Sequence, residues 1–245
     1  MHLARATWTE VADLETDLAV VPVGSTEQHS PHAPLGTDFL AAEAVAEAGV
    51  EAFDGDVVLA PTIAVGVAEE HRHFPGTMWL SPDTFRAVVR DSVASLASHG
   101  FDRVVLVNGH GGNVDALREV SGTITRHDDA YAVSFTWFEN VGEHASDMGH
   151  GGPLETALVR HCHPDLVREA RLEEARDGGT ERWGEWVGRT NLAHDSAAFT
   201  ANGVVGDPTA GSAARGAELL ELAAAALARL LEAVSERDVS RPDWR

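Results

Sequence analysis

The sequence predicts an α/β protein in which helices cover both faces of a mostly parallel central sheet. Short apolar runs alternate with segments of helical period along the 245 residues, and this alternation is typical of β-α-β units. Apolar residues make up 44% of the chain, which is enough for a substantial core. No repeat or low-complexity tract interrupts the pattern. We therefore expect one domain over residues 1–245.

The first elements lead into a polar loop. "LAVVPVG", residues 18–24, predicts a buried strand, because a short apolar run bounded by turn residues suits a covered sheet. A helix is expected from about Asp38 to Gly49. A second strand is expected over residues 57–66, with a break at Pro61.

The clearest helix covers residues 81–100. Ser81 suits its N-cap, Pro82 its first turn and Gly100 its C-terminal stop. Three further elements follow in order: a strand with a Gly-rich turn at 103–113, a helix at 114–126 and a strand at 130–138.

The last third of the chain is less regular. Residues 165–202 contain two Trp residues and no clear period, and we interpret them as an insertion or subunit-contact region over the site. Residues 206–234 predict a turn and a long amphipathic helix. Residues 236–245 are expected to be a polar tail.

The charge of the chain limits its partners. There are 39 acidic residues against 18 basic ones, all of them Arg, for a net charge of −21. This balance argues against binding to nucleic acids and anionic membranes, which need basic patches. Adaptation to a salt-rich cytoplasm explains it, because salt screens self-repulsion. An acidic protein from a GC-rich genome is a second explanation, and the two are compatible.

Other features point to a soluble cytoplasmic protein. No apolar run approaches the roughly 20 residues that a membrane-spanning helix needs. The N-terminus lacks the basic-then-apolar order of a signal peptide. Cys162 is the single cysteine, so an internal disulfide framework is excluded, and we interpret this thiol as structural.

The loop after the first strand, "PVGSTEQHSPHAPLGTDF", is rich in metal-type side chains. Glu27 and His29 lie on one side of the chain if the segment is extended, and Asp38 follows at the expected helix start. Carboxylate and imidazole suit Zn²⁺, Mn²⁺ or Fe²⁺. A surface loop with Asp38 as an N-cap remains the alternative. For His32 we expect a supporting or structural role.

A second polar turn, "NGHGGN", follows the strand at 103–107. His110 is placed where sites form in parallel sheets, beyond the carboxyl end of a strand, and the neighbouring glycines leave room for a metal and a substrate. A nucleotide-binding loop is disfavoured, because "GHGGN" does not match G-x-G-x-x-G and the chain has no Lys for a Walker A motif.

Two further segments carry candidate chemistry. In "MGHGGPLET", His150 and Glu155 surround a glycine turn that begins a helix; Glu155 is either a favourable first-turn carboxylate or a general base or metal ligand. In "EEHRHFPGTMWL", His71 and Thr77 are candidate substrate contacts, whereas packing is the default for Phe74 and Trp79. A serine hydrolase is disfavoured because G-x-S-x-G is absent.

Taken together, these segments resemble the creatininase family of metal-dependent amidohydrolases. The resemblance runs through most of the chain and rests on "VPVGSTEQHSPHAPLGTD", "EEHRHFPGTMWL", "VLVNGHGGN", "GHGGPLETALV" and "GVVGDPTAGSAARG". It implies a three-layer α/β/α domain, one or two divalent ions and a homo-oligomer, since creatininase itself is a hexamer with two metals per subunit.

The resemblance also implies a set of site residues. Glu27, His29, Asp38 and His110 correspond to metal ligands, with Asp38 able to bridge two ions. In creatininase a second-metal glutamate stands two residues after the histidine of "NGHGGN", where this chain has Gly112. Either Glu155 substitutes for it or the site holds one ion.

The expected reaction is hydrolysis of a C–N amide bond by a metal-activated water. Glu155 or His150 would transfer the proton to the leaving nitrogen, and N–H groups around Gly111 and Gly112 would stabilise the oxyanion. The substrate is a small molecule or a peptide end: the family includes creatininases, formamidopyrimidine nucleotide deformylases and mycofactocin precursor peptide peptidases, and the "NGHGGN" and "ET" forms favour the last. A non-catalytic metal-binding scaffold is the alternative of a different class.

Overall fold

The computed structural model of the chain describes residues 1–240, so the last five residues of the expected polar tail lie outside it. Four parallel strands form the central sheet in the order β2-β1-β3-β4. Their bounds are Leu18–Val23 for β1, Val58–Leu59 for β2, Arg103–Asn108 for β3 and Tyr131–Thr136 for β4. A separate antiparallel hairpin pairs β5, Trp186–Val187, with β6, Thr190–Asn191.

Helices connect and cover these strands. In chain order they are α1 Trp8–Ala12, α2 Thr37–Ala52, α3 Pro82–Ala97, α4 Val114–His127, α5 Pro153–Cys162, α6 Leu172–Asp177 and α7 Ala213–Ser235. None of the described helices is long and apolar enough to cross a membrane.

The sheet has a core on each face. Leu18 and Val20 of β1 pack with α2, α5 and α7, whereas Ala19 and Val21 pack with α3 and α4. Successive side chains of a strand point to opposite faces, so a strand covered by both helical layers must be apolar throughout. This explains why β1 is a continuous apolar run, buried at all six positions.

The predicted fold class is confirmed, and two of the expected boundaries are wrong. The helix α2 continues past Gly49 to Ala52, because Gly49 is a close contact of Leu227 in α7 and not a helix stop. The strand predicted over 57–66 is reduced to β2. Pro61 has no N–H for the ladder, although Ile63 resumes the contact with β1 through a hydrogen bond to the Pro22 carbonyl at 3.0 Å.

The region predicted as irregular contains short regular pieces. It includes α6 and the β5–β6 hairpin, whose residues 185–190 are all exposed. Its assignment as an insertion or subunit-contact region stays a prediction. The long C-terminal helix is present as α7, and it packs on α2 and α5.

Candidate metal centre

The polar loops meet beyond the ends of β1 and β3, two neighbouring strands from which the chain continues in opposite directions along the sheet. After β1 the chain passes through α2 to β2, and after β3 it passes through α4 to β4 on the opposite face. β1 and β3 are neighbours, with Val23 opposite Asn108. Crevices beyond the carboxyl ends of such strands are the usual ligand sites of open parallel sheets.

One group of buried ligand atoms joins Glu27, Asp38 and His110. The Nδ1 atom of His110 lies 3.2 Å from Oε1 of Glu27 and 3.1 Å from Oδ2 of Asp38. All three residues are buried. Their ligand atoms are close enough together to hold one metal ion.

A second group adjoins the first through Asp38. The other carboxylate oxygen of Asp38, Oδ1, lies 3.0 Å from Nε2 of His29, and Oε2 of Glu155 lies 3.7 Å from the same nitrogen. Glu155 is held in place because its Oε2 accepts a hydrogen bond from the Gly151 N–H at 2.6 Å. His29 and Glu155 form a second cluster of metal-type ligands together with His150.

Backbone carbonyls fix the two histidines that face Asp38. Nε2 of His110 lies 2.7 Å from the Val67 carbonyl oxygen, and Nδ1 of His29 lies 3.2 Å from the Glu27 carbonyl oxygen. A carbonyl can only accept, so each of these nitrogens carries a proton and the opposite nitrogen faces the carboxylates, where it can hold a second proton or bind a metal. Metal-binding histidines are commonly oriented in this way.

Several ligand-type atoms of the cluster have no hydrogen-bond partner. Among residues 1–240, both carboxylate oxygens of Glu27, Oδ2 of Asp38 and Nε2 of His29 are buried without one. Buried acceptors that face one another are costly unless a cation or a proton lies between them. The donor set therefore fits a divalent metal of the Zn²⁺, Mn²⁺ or Fe²⁺ kind.

The pKa values of these groups reflect the crowding of buried carboxylates and imidazoles. Burial raises the pKa of the Glu27 carboxyl to about 7, against the attraction of His110. Burial alone would lower the pKa of His29 and His110, but the neighbouring carboxylates hold the pKa of both imidazoles well above its usual range. Asp38 keeps a low pKa despite its burial, because both imidazoles face it.

The absent carboxylate at Gly112 has a structural reason. A Cβ atom added there would collide with the Val67 carbonyl oxygen, the acceptor that fixes His110, and would approach His110 itself. In this arrangement a side chain at position 112 would displace that contact. Glu155, by contrast, already has a carboxylate oxygen beside His29.

A cavity of about 480 Å³ opens above these clusters. Of the residues predicted to bind substrate or act in catalysis, five line it: His71, Gly111, Gly112, His150 and Glu155. Thr77 is not among the described lining residues; its hydroxyl accepts a hydrogen bond from the Gln28 N–H at 3.1 Å. Glu27, His29 and Asp38 lie deeper, with at most 1% of each residue exposed.

Sequence reasoning missed the individual roles of Trp183 and Gln28. The indole of Trp183 meets the rings of His71 and His150 edge-on, with centroids 5.5 and 6.1 Å apart. In the sequence, the only signal for this role was the presence of Trp in the irregular segment 165–202. Gln28 is buried and contacts both histidines, and its one signal was its position between two expected ligands.

Two residues expected to be structural are placed away from the ligand atoms. Nε2 of His32 lies 2.8 Å from the Thr156 hydroxyl, and burial lowers the pKa of this imidazole to about 4. Burial raises the pKa of the Cys162 thiol to about 11, so it is a poor nucleophile at neutral pH.

The fold and the cluster define a class: an α/β protein with a buried carboxylate–imidazole site at the carboxyl edge of a parallel sheet. A family model described as creatininase, creatinine amidohydrolase, matches residues 4–231. The chain belongs to the creatininase family, and the resemblance noted in its sequence is confirmed.

Relatives and solved structures agree with this assignment. A mycofactocin precursor peptide peptidase from Mycolicibacterium smegmatis is 38% identical over 203 residues, which are 81% of this chain and 78% of the relative. A creatinine amidohydrolase from Pseudomonas putida is 32% identical over 173 residues, 60% of this chain and 65% of the relative. A crystal structure of creatininase is 27% identical, with a TM-score of 0.75 over 97% of this chain and 98% of the other.

Proposed function

We propose that this chain hydrolyses a C–N amide bond with the help of divalent metal held by Glu27, His29, Asp38, His110 and Glu155. The observation that carries the proposal is the convergence of two buried carboxylates and two backbone-oriented imidazoles, several of whose ligand atoms have no hydrogen-bond partner among the described residues. The family and the hydrolase names of its relatives support the same reaction class.

We propose two ion positions. Glu27, Asp38 and His110 would hold the first ion, and His29 and Glu155 the second, with Asp38 beside His29. The two oxygens of Asp38 face different histidines, so this residue would contribute to both. Glu155 would then supply the carboxylate that Gly112 lacks.

A bound divalent metal supplies a polarised carbonyl and a water activated near neutral pH. We assign proton transfer to His150, which lines the cavity. Burial keeps the pKa of His150 well below its usual value, so the resting imidazole is neutral; its position in the cavity, not this shift, supports the transfer of a proton to the leaving nitrogen. The N–H groups of Gly111 and Gly112, in a turn that lines the cavity, would stabilise the oxyanion.

For the substrate, we propose an amide near the end of a peptide. The relatives with more identity over more of the chain are named as mycofactocin precursor peptide peptidases. The cavity of about 480 Å³ falls in the range of sites that enclose drug-sized ligands, so it has room for a peptide end.

Assembly and compartment belong to the same proposal. We propose a homo-oligomer, with the hexamer of creatininase as the expected form, in the cytoplasm. The exposed apolar side chains of Met78 and Trp79 are available for subunit contacts. Light scattering of the purified protein coupled to gel filtration tests the assembly, and a monomer would contradict it.

The test of the reaction is an activity screen of metal-reconstituted protein at high salt. Its substrates are creatinine, a formamidopyrimidine and a peptide ending in Val-Tyr, and the metal content is measured on the same sample. We expect bound transition metal and release of the peptide end. A metal-free purified protein that also fails to bind added Zn²⁺ would contradict the proposal, as would full activity in a His110→Ala variant.

A further inference from the structure

The side-chain amide of Gln28 lies between two histidines of the cavity. Its nitrogen, Nε2, is 2.8 Å from Nδ1 of His71 and 2.8 Å from Nε2 of His150. These histidines come from different parts of the chain and their rings stack, with centroids 4.2 Å apart. Gln28 is therefore placed to influence both rings.

The surrounding backbone decides which way the amide points. The Ser30 N–H donates to Oε1 of Gln28 at 3.0 Å, and Nε2 lies 3.4 Å from the Gly203 carbonyl oxygen. A flipped amide would place its oxygen against that carbonyl and its nitrogen against the Ser30 N–H. The hydrogen-bond network, which is the proper basis for assigning amide atoms, thus directs the amide nitrogen toward the histidines.

The chain also makes room for this amide. Gly203 has a φ of +89°, and a Cβ atom there would overlap the Gln28 side chain. Both requirements are met by glycine alone. The main-chain N–H of Gln28 is held as well, by the Thr77 hydroxyl at 3.1 Å. The position of the amide is thus fixed from several sides.

This orientation sets the proton of His71. Its Nδ1 faces an amide donor and must accept, so the proton of the neutral ring is on Nε2. That N–H points toward Oε1 of Glu27, 3.5 Å away. Although Glu27, His71 and His150 are close enough for a metal cluster, a protonated Nε2 cannot be a ligand. His71, which lines the cavity, instead directs its N–H toward the Glu27 carboxylate.

Gln28 also fixes the ring of His150, but through its main chain. Nε2 of His150 lies 2.6 Å from the main-chain carbonyl oxygen of Gln28, which can only accept, so Nε2 carries the proton. Nδ1 keeps a lone pair and lies 3.7 Å from Oε1 of Glu27. The 2.8 Å approach of the Gln28 amide nitrogen to the same ring nitrogen competes with this contact, and we assign the proton by the shorter distance to the carbonyl oxygen.

We propose that Gln28 is a positioning residue that directs the N–H of His71 toward Glu27, a proposed metal ligand, and keeps the Nδ1 lone pair of His150 free. The main chain of Gln28 holds one ring and its side chain the other. The expected effect on turnover rests on the proposed amide hydrolysis, in which Glu27 would hold metal and His150 would transfer a proton. The ring protons themselves can be observed without a substrate.

The first test is ¹⁵N NMR of the histidine rings in the Zn²⁺-loaded wild-type protein. We expect His71 to be protonated on Nε2 and His150 on Nε2, which leaves the Nδ1 signal of each in the unprotonated region. A His71 ring protonated on Nδ1 would overturn the proposal. Since no turnover is measured, this result is independent of whether the protein hydrolyses amides.

The second test is Gln28→Glu, which keeps the shape but replaces the amide donor with an acceptor. The carboxylate still accepts from Ser30 N–H and would draw a proton onto Nδ1 of His71, so we expect the His71 tautomer to reverse. We also expect kcat for the peptide ending in Val-Tyr to fall about tenfold to a hundredfold, as for other groups that orient site residues, with the Zn²⁺ content unchanged. An unchanged tautomer in the folded variant would refute the role of Gln28.

Ser196→Ala is the matched control. The Ser196 hydroxyl is also 3.0 Å from Nδ1 of His71, but it donates to the Glu70 carbonyl oxygen at 3.0 Å. We expect this variant to keep the wild-type tautomer and kcat. A tautomer that changes in Ser196→Ala and not in Gln28→Glu would assign the positioning role to Ser196 and overturn the proposal.

Discussion

The loop after β1 and residues 165–202, the covering chain beside the cavity, differ in how deeply they are buried. In the loop, Glu27 and His29 are fully buried and continue directly from a strand of the sheet. The covering chain is mostly exposed: Glu181 and Arg182 line the cavity from the surface, and the nearby hairpin has strands of two residues. The proposed metal ligands are therefore fixed by the core, whereas the wall that meets the substrate is not.

The two regions contact each other at several points; for example, the Arg168 N–H donates to the His32 carbonyl oxygen at 2.7 Å. The main chain of Val205 exchanges hydrogen bonds with His150, at 3.0 and 2.8 Å, and it also pairs with Thr180 in the covering chain. The difference teaches that the chemistry and the choice of substrate can vary separately in this fold. Changes in the loop should abolish metal binding and turnover together, and changes in the covering chain should affect substrate binding alone.

The largest effect is expected from Asp38→Asn. The substitution removes the charge that both proposed ions share, so bound metal should be lost and amide hydrolysis should fall about 10³-fold or more. Metal analysis and turnover of the peptide ending in Val-Tyr measure this. Asp115→Asn, an exposed change in the first turn of α4, is the control and should leave both unchanged. Retained metal and activity in Asp38→Asn would show that the loop does not hold the centre.

A smaller loss is expected from Glu155→Gln. The amide keeps the shape but loses the charge beside His29, so the second ion should be released while the first remains, and activity should fall about 10- to 100-fold. Counting zinc per subunit checks it, with the exposed Glu174→Gln as a matched control. An unchanged zinc count would show that the Glu155 carboxylate is not needed to hold the second ion.

Metal affinity should fall as the pH is lowered through about 7. The pKa of Glu27 is about 7 in the metal-free protein, and the pKa values of His29 and His110 are raised as well. Below these values protons occupy the ligand atoms and compete with the metal, and above them the ligands are free. Chelator competition with Zn²⁺ between pH 5.5 and 8 measures the trend. A flat profile would contradict a site made of these groups.

Trp183→Ala should raise KM about tenfold and leave kcat and metal content near wild type. The indole borders the cavity beside His71 and His150 without offering a ligand atom, and loss of an aromatic contact commonly costs about 1 kcal/mol. Trp186→Ala, in the exposed hairpin, is the control. If the Trp183 variant loses its metal, the separation of the two regions is wrong.

The smallest effect on the site is expected from salt. With a net charge of −21, self-repulsion should weaken the fold in dilute buffer, and KCl should raise the melting temperature by screening it. The buried ligands are shielded from that screening, so zinc content should not change. Thermal unfolding at increasing KCl tests this. A melting temperature as high in dilute buffer as in molar KCl would count against adaptation to a salt-rich cytoplasm.

Much of the site could be anticipated because its residues follow strand ends. His110 comes two residues after β3, and Glu27 four residues after β1, and neighbouring parallel strands end at one edge. The contribution of Gln28 could not be anticipated, since its partners His71 and His150 are 43 and 122 residues away. Nor could the sequence show the position of Thr77, an expected substrate contact. Its hydroxyl accepts a hydrogen bond from the Gln28 N–H, and it is not among the described lining residues of the cavity.

By itself the sequence determined the layered α/β architecture and the residue types of the centre, because strand burial and ligand chemistry are local properties of the chain. The tertiary structure decided how those residues are arranged in space. It placed the two oxygens of Asp38 toward different histidines, brought Glu155 beside His29, and closed the space over Gly112 with the Val67 carbonyl. These relations depend on distances between segments far apart in the chain, which packing of the core fixes and no local pattern encodes.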